Sequence, residues 1–294
     1  MREVIISILF GISQLISIPS HKYFLHLLFA VQSYTQIPLT ISENKTISIV
    51  IPAYNEEKRI RPVLDELCNY IKSNELSWNV IISIDGDDKT EQIVNSFHEV
   101  FPFVVPNTSK SRNGMGGAIK RGILASNDDY IILMDADGSS RISDLIPSLD
   151  FVEWFDIVNF NRYEKGENNI PLKRKFASRG LNFILKAIFK INVKDTQCGY
   201  KILKKSSIIP IINSITYTNA FFLSALFLYA KKNGLKTLEI PIEYHHTDGS
   251  KFNVIMTAVS YLISIAAFKT RNSKLYSLIP DSIKKLYYTK FRYL

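Results

Sequence analysis

From Thr46 onward the apolar residues recur in two alternating rhythms. Short runs rich in β-branched residues, Ile47–Ile51, Asn79–Ile84, Phe103–Val105 and Tyr130–Met134, predict strands. Between them, Arg61–Ser73 sets Val63, Leu64, Leu67 and Ile71 at helical spacing, with Pro62 suited to a first turn. Thr90–Val100 and Gly116–Ala125 predict two further helices. Strands separated by helices imply parallel βαβ units, hence an α/β protein with helices on both faces of a mostly parallel sheet. In such sheets ligands bind beyond the carboxyl ends of the strands. That directs attention to Pro52–Glu56, Asp85–Asp88 and Asp135–Gly138. After Asp156–Phe160 the pattern loosens. A basic polar loop, Arg162–Lys175, leads into a helix through Phe189, and a short segment follows at Asp195–Leu203. Asn219–Lys232 reads as an almost wholly apolar, buried helix and Leu238–Glu243 as a strand. No internal repeat is visible.

Both ends differ from this middle. Val4–Ile18 and Tyr23–Val31 are apolar runs, each short of the roughly 20 residues that span a bilayer. Ser17-Ile18-Pro19-Ser20 is a poor signal-cleavage site. Met1–Ser42 is therefore expected to be an anchor or interfacial hairpin, the alternative being amphipathic helices packed on the domain. At the other end, the apolar run Val254–Phe268 meets a basic flank, and Lys251–Leu294 carries eight Lys/Arg against the single acid Asp281. Apolar beside basic favours a membrane surface; a buried helix with a solvated basic tail is the alternative. The expected organisation is residues 1–45 as the N-terminal segment, 46–250 as the main domain and 251–294 as a membrane-associated tail. Within the main domain, residues 46–160 and 161–250 form two halves.

Over its 294 residues the chain is 46% hydrophobic and 21% charged, which excludes wholesale disorder. Two distant cysteines, Cys68 and Cys198, exclude a disulfide scaffold and a Cys-based zinc site. The net charge of +9 favours an anionic partner: a phosphorylated small molecule, a lipid surface or nucleic acid. Nucleic acid ranks last, because neither an aromatic-basic stacking pattern nor a known motif is present.

Met134-Asp135-Ala136-Asp137-Gly138 carries the sharpest chemistry. Two carboxylates flank one residue directly after a buried strand. Hard oxygen ligands so placed suit Mg²⁺ or Mn²⁺ shared with substrate phosphates. His245 and His246 are adjacent; in a strand they point to opposite faces and cannot easily share one ion. His245 or Lys251 is expected near a diphosphate, against a structural loop.

With Ile51-Pro52-Ala53-Tyr54-Asn55-Glu56 ending the first strand and the Asp-x-Asp ending the fourth, the chain resembles family 2 inverting glycosyltransferases of the GT-A (Rossmann-like) fold. The resemblance runs from about Ile47 to Lys251. Lys194-Asp195-Thr196-Gln197-Cys198-Gly199-Tyr200-Lys201 and His245-His246-Thr247-Asp248-Gly249-Ser250-Lys251 point within that family to its dolichyl-phosphate glucosyltransferase branch. The resemblance implies that Pro52, Tyr54, Glu56 and Asp85 hold the nucleotide. It also implies that Gly114 and Gly116, within Arg112–Ala118, let the backbone approach it. Asp135 and Asp137 would bind a metal-diphosphate, and Asp137 with Asp195 would serve catalysis. Arg162, Arg174, Ser178, Arg179 and Lys201 would hold an acceptor phosphate. The chain departs from the family pattern at Ile84–Asp88, one residue shorter, and at Met115, where Lys is frequent. Phe222 and Ser224 stand where the family carries acids.

A phosphate acceptor lessens the need for those acids. A hydroxyl acceptor needs a general base, whereas a phosphate monoester with a second pKa of about 6 is already a nucleophile at neutral pH. What the protein must then do is hold two anions together. The expected activity is inverting transfer of a hexose, from UDP-glucose, to dolichyl or polyprenyl phosphate, at a membrane and on its cytoplasmic side. GDP-mannose as donor, and a non-catalytic nucleotide- or lipid-binding protein, are the alternatives.

Overall fold

The computed structural model describes residues 45–163, 167–168, 172–245, 254–271 and 277–286. The expected anchor at Met1–Ser42, the residues His246 and Lys251, and the last part of the basic tail lie outside the described residues.

The strands form where β-branched runs pack on both faces. β1 (Ile47–Tyr54), β2 (Trp78–Asp85), β3 (Val104–Thr108) and β4 (Tyr130–Leu133) alternate with α1 (Ile60–Ser73), α2 (Thr90–Val100) and α3 (Gly114–Ala125). Then come α4 (Ile142–Leu145), a 3₁₀ turn at Ile146–Glu153, β5 (Ile157–Asn161), β6 (Glu167–Asn168) and α5 (Leu172–Phe189). The described chain is completed by β7 (Lys201–Lys204), α6 (Lys205–Ser214), α7 (Phe221–Lys232), β8 (Thr237–Pro241), β9 (Tyr244–His245), α8 (Val254–Arg271) and α9 (Asp281–Leu286). Seven strands make one sheet in the order β3-β2-β1-β4-β7-β5-β8, and β6 pairs with β9.

β1 runs parallel to β2 and β4, and β2 to β3, with Ile49 opposite both Val80 and Ile132. β7 is antiparallel to both its neighbours, β4 and β5, so the sheet is mostly rather than wholly parallel. This reversal positions the site. Because β7 runs backwards, its first residue, Lys201, lies opposite Leu133 at the carboxyl end of β4. The segment preceding β7 is thereby delivered to the same edge as the Asp-x-Asp loop.

Val50, Ile81, Ile131 and Leu133 point to one face and share a buried cluster with α3, α5, α6, α7 and α8. Strand alternation turns Ile49, Ile51, Ile82 and Ile132 the other way, and α1 and α2 bury Leu64, Leu67, Val94 and Phe97 outside that cluster. Asn219 ties α7 to α8: its side chain accepts from Phe221 N–H at 3.2 Å and donates to Ser260 at 2.7 Å and Ser264 at 3.0 Å. α8, which the sequence pattern places in the membrane-associated tail or alternatively buries, packs on α5 and α7 and buries Ser260, Tyr261, Ser264 and Ile265. Among the described residues no helix is long and apolar enough to cross a membrane.

Candidate active site

The parallel register sets Tyr54 beside Asp85 at the carboxyl edge. The loops that follow are locked together. Asn55, at φ 54°, accepts hydrogen bonds from Asp87 N–H (2.9 Å) and Asp88 N–H (3.3 Å). Glu56 N–H donates to Thr90 Oγ1 at 2.8 Å. Gly86 is required here: at φ 109°, any Cβ would overlap the Asn55 amide. Tyr54 is exposed, with the Arg112 guanidinium 4.3 Å from its ring centroid. Asp85 is buried and already partnered, accepting from Asn113 N–H at 2.7 Å and from Arg121 Nη2 at 2.9 Å. Pro52 lies half-buried within β1, opposite Ser83.

The acidic pair follows β4. The Asp135 carboxylate lies against Gly199, where any Cβ would overlap it, so the glycine before Tyr200 is a steric requirement of the Asp-x-Asp loop. Asp137 Oδ1 accepts from Ser139 N–H at 3.1 Å and from the Ser139 hydroxyl. Its Oδ2 faces Arg59 Nη1 at 3.8 Å. Arg59 is in turn gripped by Glu56, with Nε and Nη2 each 2.7 Å from a carboxylate oxygen. Burial pulls the Arg59 pKa down, but Glu56, Asp137 and Asp135 more than offset this and raise it. Tyr200 donates weakly to Ser140 O and accepts from Ser140 N–H at 2.9 Å. Burial, then the charges of Asp135 and Asp137, push its phenol well up. His245 N–H donates to Ser139 O at 2.9 Å, bringing β9 alongside the loop, while its exposed ring lies 3.4 Å from the Glu243 carboxylate. Among the described residues no cluster of three or more His, Cys, Asp or Glu side chains gathers. Asp135 and Asp137 are the carboxylates that could hold an ion here, with positions left for phosphate oxygens.

Behind the pair sits a buried charge cluster. Arg162 forks onto Asp195, Nε to Oδ2 at 2.7 Å and Nη2 to Oδ1 at 3.0 Å. Burial would raise the Asp195 carboxyl, but Arg162 and then Lys201 outweigh it and hold it below the ordinary range. The family resemblance assigns Lys201 to the acceptor phosphate. It is instead wholly buried, donating to Asn159 Oδ1 at 2.7 Å and Cys198 O at 2.6 Å. Burial pushes its pKa down to about 8 and that of Cys198 up to about 12. Glu239 accepts from Asp195 N–H at 2.9 Å and from Asn159 Nδ2 at 3.0 Å, closing the cluster. Asp195 and Arg162 thus neutralise each other, and their geometry is that of a brace rather than of a free base and a free phosphate ligand.

Ser178 and Arg179 lie on α5, tied to Tyr163: Ser178 Oγ is 2.7 Å from the phenol, and Arg179 stands 5.3 Å over its ring. Arg174 occupies the first turn of α5. The glycine stretch packs closely against the chain around α7. Gly116 N–H donates to Thr218 O at 2.8 Å, and a Cβ on Gly114 or Gly116 would strike Thr218 O or Phe222, respectively. The glycines let α3 close onto α7, and Phe222, at a family acid position, is the buried residue they accommodate. Ser224, at the other, joins a neutral chain: it bonds Tyr261 and lies 2.6 Å from Thr196 Oγ1, which donates to Asn182 Oδ1 at 2.8 Å. Asn182 then donates to Tyr163 at 2.9 Å. Hydroxyls and an amide therefore join the helices where the family pattern has acids.

Arg59, Tyr163, Asn182, Ser139 and Glu239 do not stand out in the sequence. Only Arg59, three residues beyond Glu56 at the head of a helix, and Tyr163, next to Arg162, carry a usable signal.

A Rossmann-like sheet with Asp-x-Asp at its carboxyl edge defines a GT-A-type nucleotide-sugar transferase scaffold. Residues 48–211, more than half of the chain, match glycosyl transferase family 2, and the chain belongs to that family. It is 31% identical to a dolichyl-phosphate beta-glucosyltransferase of Trichomonas vaginalis, over 76% of this chain and 73% of that protein. It is 28% identical to the dolichyl-phosphate beta-glucosyltransferase of Saccharomyces cerevisiae, over 72% and 71%. The fold overlays glucosyl-3-phosphoglycerate synthase from Mycobacterium tuberculosis, solved with Mn²⁺, UDP-glucose and phosphoglyceric acid, with a TM-score of 0.57 at 16% identity. That overlay covers 76% of this chain and 79% of that one.

Proposed function

We propose that the protein transfers glucose from UDP-glucose to dolichyl phosphate with inversion. The observation that carries this reading is the meeting, through the reversed β7, of the Asp-x-Asp loop with the Asp195–Lys201 segment, in a chain similar to dolichyl-phosphate beta-glucosyltransferases. An acceptor phosphate oxygen bonds the anomeric carbon as the bond from that carbon to the diphosphate breaks. A phosphate dianion needs no base, which accords with Asp195 being committed to Arg162.

Asp135 and Asp137 fit a divalent ion: both are half-exposed, and Asp137 is oriented by Ser139 through one oxygen only. When bound, Mg²⁺ or Mn²⁺ would neutralise charge on the leaving diphosphate. Tyr54 would take the nucleoside through its exposed ring, with the buried Asp85 fixing Asn113 and Arg121 behind it. The Arg162–Asp195 pair and Lys201 would brace the acceptor side, and Ser178, Arg179 and Arg174 would meet the acceptor phosphate.

α5 supports a lipid acceptor. Phe176 and Phe183, seven residues apart on one helical face, are 73% and 72% exposed, and Arg179 lies between them. The neighbouring α8 exposes Met256, Val259 and Leu262, with Lys269 in its last turn. An exposed apolar face with basic residues fits an anionic bilayer surface, the site of catalysis then facing the cytoplasm. Phe176→Ser with Phe183→Ser should lower binding to phosphatidylserine vesicles about a hundredfold or more, each aromatic contributing roughly 1.5–3 kcal/mol when buried. Unchanged flotation at every salt concentration would refute this face.

The activity is tested by incubating membranes holding the protein with labelled UDP-glucose or GDP-mannose and dolichyl phosphate. A chloroform-soluble glucose product is expected. A mannose product would transfer the reading to the rival donor, and no product from either would favour a binding protein. Arg179→Ala should raise the KM for dolichyl phosphate far more than that for the donor, with Lys rescuing only in part because a point charge lacks the guanidinium fork. Equal changes in both KM values would remove Arg179 from the acceptor site.

A further inference from the structure

We propose that Arg59 is a ligand of the donor's diphosphate, a role that rests on the nucleotide-sugar reading above. Its guanidinium donors are unequally occupied. Glu56 takes Nε and Nη2 as a fork, which fixes the guanidinium plane. Nη1 remains. It is buried and has no hydrogen-bond partner among the described residues. It faces Asp137 Oδ2 at 3.8 Å, beyond hydrogen-bond reach. A buried guanidinium nitrogen without an acceptor is costly to maintain, and such groups call for a specific explanation.

The anion of the reaction supplies one. Nη1 faces Asp137 in the acidic pair where a metal-diphosphate would sit, and its hydrogens would reach a phosphate oxygen lying beside the Asp137 carboxylate. Glu56 then aims a phosphate-binding arginine instead of touching the nucleotide itself. The charge change during transfer adds to this. A nucleoside diphosphate gains a negative charge as it leaves the sugar, so a fixed cation beside it stabilises the departing group more than the bound donor. Arg59 would share that charge with the divalent ion, but unlike the ion it belongs to the chain and remains when the metal is removed.

The test measures binding of UDP and of uridine to the full-length protein and to Arg59→Gln and Arg59→Lys, in Mn²⁺ and again in EDTA. Arg59→Gln is expected to weaken UDP at least tenfold in both conditions and to leave uridine within twofold. Arg59→Lys should fall between, about threefold. UDP binding within twofold of the wild type would overturn the proposal. So would parallel losses for UDP and uridine, the signature of a residue that merely shapes the loop. If Arg59→Gln does not fold, Arg59→Lys carries the decision, an unchanged UDP-to-uridine ratio counting against the role. A wild-type protein that binds neither UDP nor GDP would overturn the donor reading itself, and the Arg59 role with it.

Discussion

Asp137→Asn is expected to cost about 10²–10³-fold in glucose transfer, the scale seen when one preorganised charge-stabilising contact is removed from a reacting centre. The fold should survive. Asp137 is half-exposed, and Asn retains a carbonyl oxygen to accept from Ser139 N–H, so the loop keeps its internal bond. What is lost is the charge facing Arg59 and, if the pair holds a divalent ion as proposed, one of its two carboxylate ligands. Wild-type protein in excess EDTA should fall as far as the variant does. Adding Mn²⁺ should then restore the wild type fully and the variant poorly. Melting temperatures of the two proteins should agree within a few degrees. A variant retaining more than a tenth of wild-type turnover, or a wild type indifferent to EDTA, would remove the metal from the mechanism.

Much of the nucleotide half is legible because its signals are local. β-branched runs and helical spacing define β1, β2, β4 and α2 to within a few residues, and parallel pairing then dictates that the Asp-x-Asp loop emerges beside Tyr54 and Asp85. The second half depends on contacts between residues far apart in sequence, and periodicity does not encode those. Lys201-Ile202-Leu203-Lys204 is too short to announce a strand, and nothing in it specifies that it runs antiparallel. α6 is hidden by Pro210 within it. Asp195 reads as a free carboxylate because its partner, Arg162, lies 33 residues away. The glycines in the first turn of α3 invite a phosphate-binding reading, yet the atoms that need their missing Cβ belong to Thr218 and Phe222, about a hundred residues on. Phe222 and Ser224 look like losses. In the fold one fills the groove that Gly116 leaves, and the other continues a hydroxyl chain to Tyr163.

The buried pair makes the second large effect one of stability. Asp195→Asn should destabilise the protein by about 3–5 kcal/mol, because it strands a buried Arg162 without its counter-charge. At roughly 2–4 °C per kcal/mol for a domain of this size, the melting temperature should drop by about 6–20 °C. Removing both charges together, with Arg162→Met and Asp195→Leu, should cost less than removing one, since no buried charge is then left unpaired. The pH dependence has a definite sign. The folded-state Asp195 pKa is held below its ordinary value, mainly by Arg162 overcoming burial. The pair's contribution is therefore complete above about pH 3.9, the unfolded value, and is lost only as pH falls through the lower folded one. Asp195 ionisation itself therefore adds no slope to the stability gap between wild type and Asp195→Asn from pH 5 to 8, and the gap narrows below about pH 4. Activity should behave differently. The rate of whatever Asp195→Asn protein remains folded should still decline below about pH 6, as the acceptor phosphate regains its second proton. If Asp195 were instead the general base, the variant would lose that acid limb while keeping near-normal stability; urea melts and pH-rate profiles on the same preparation separate the two outcomes.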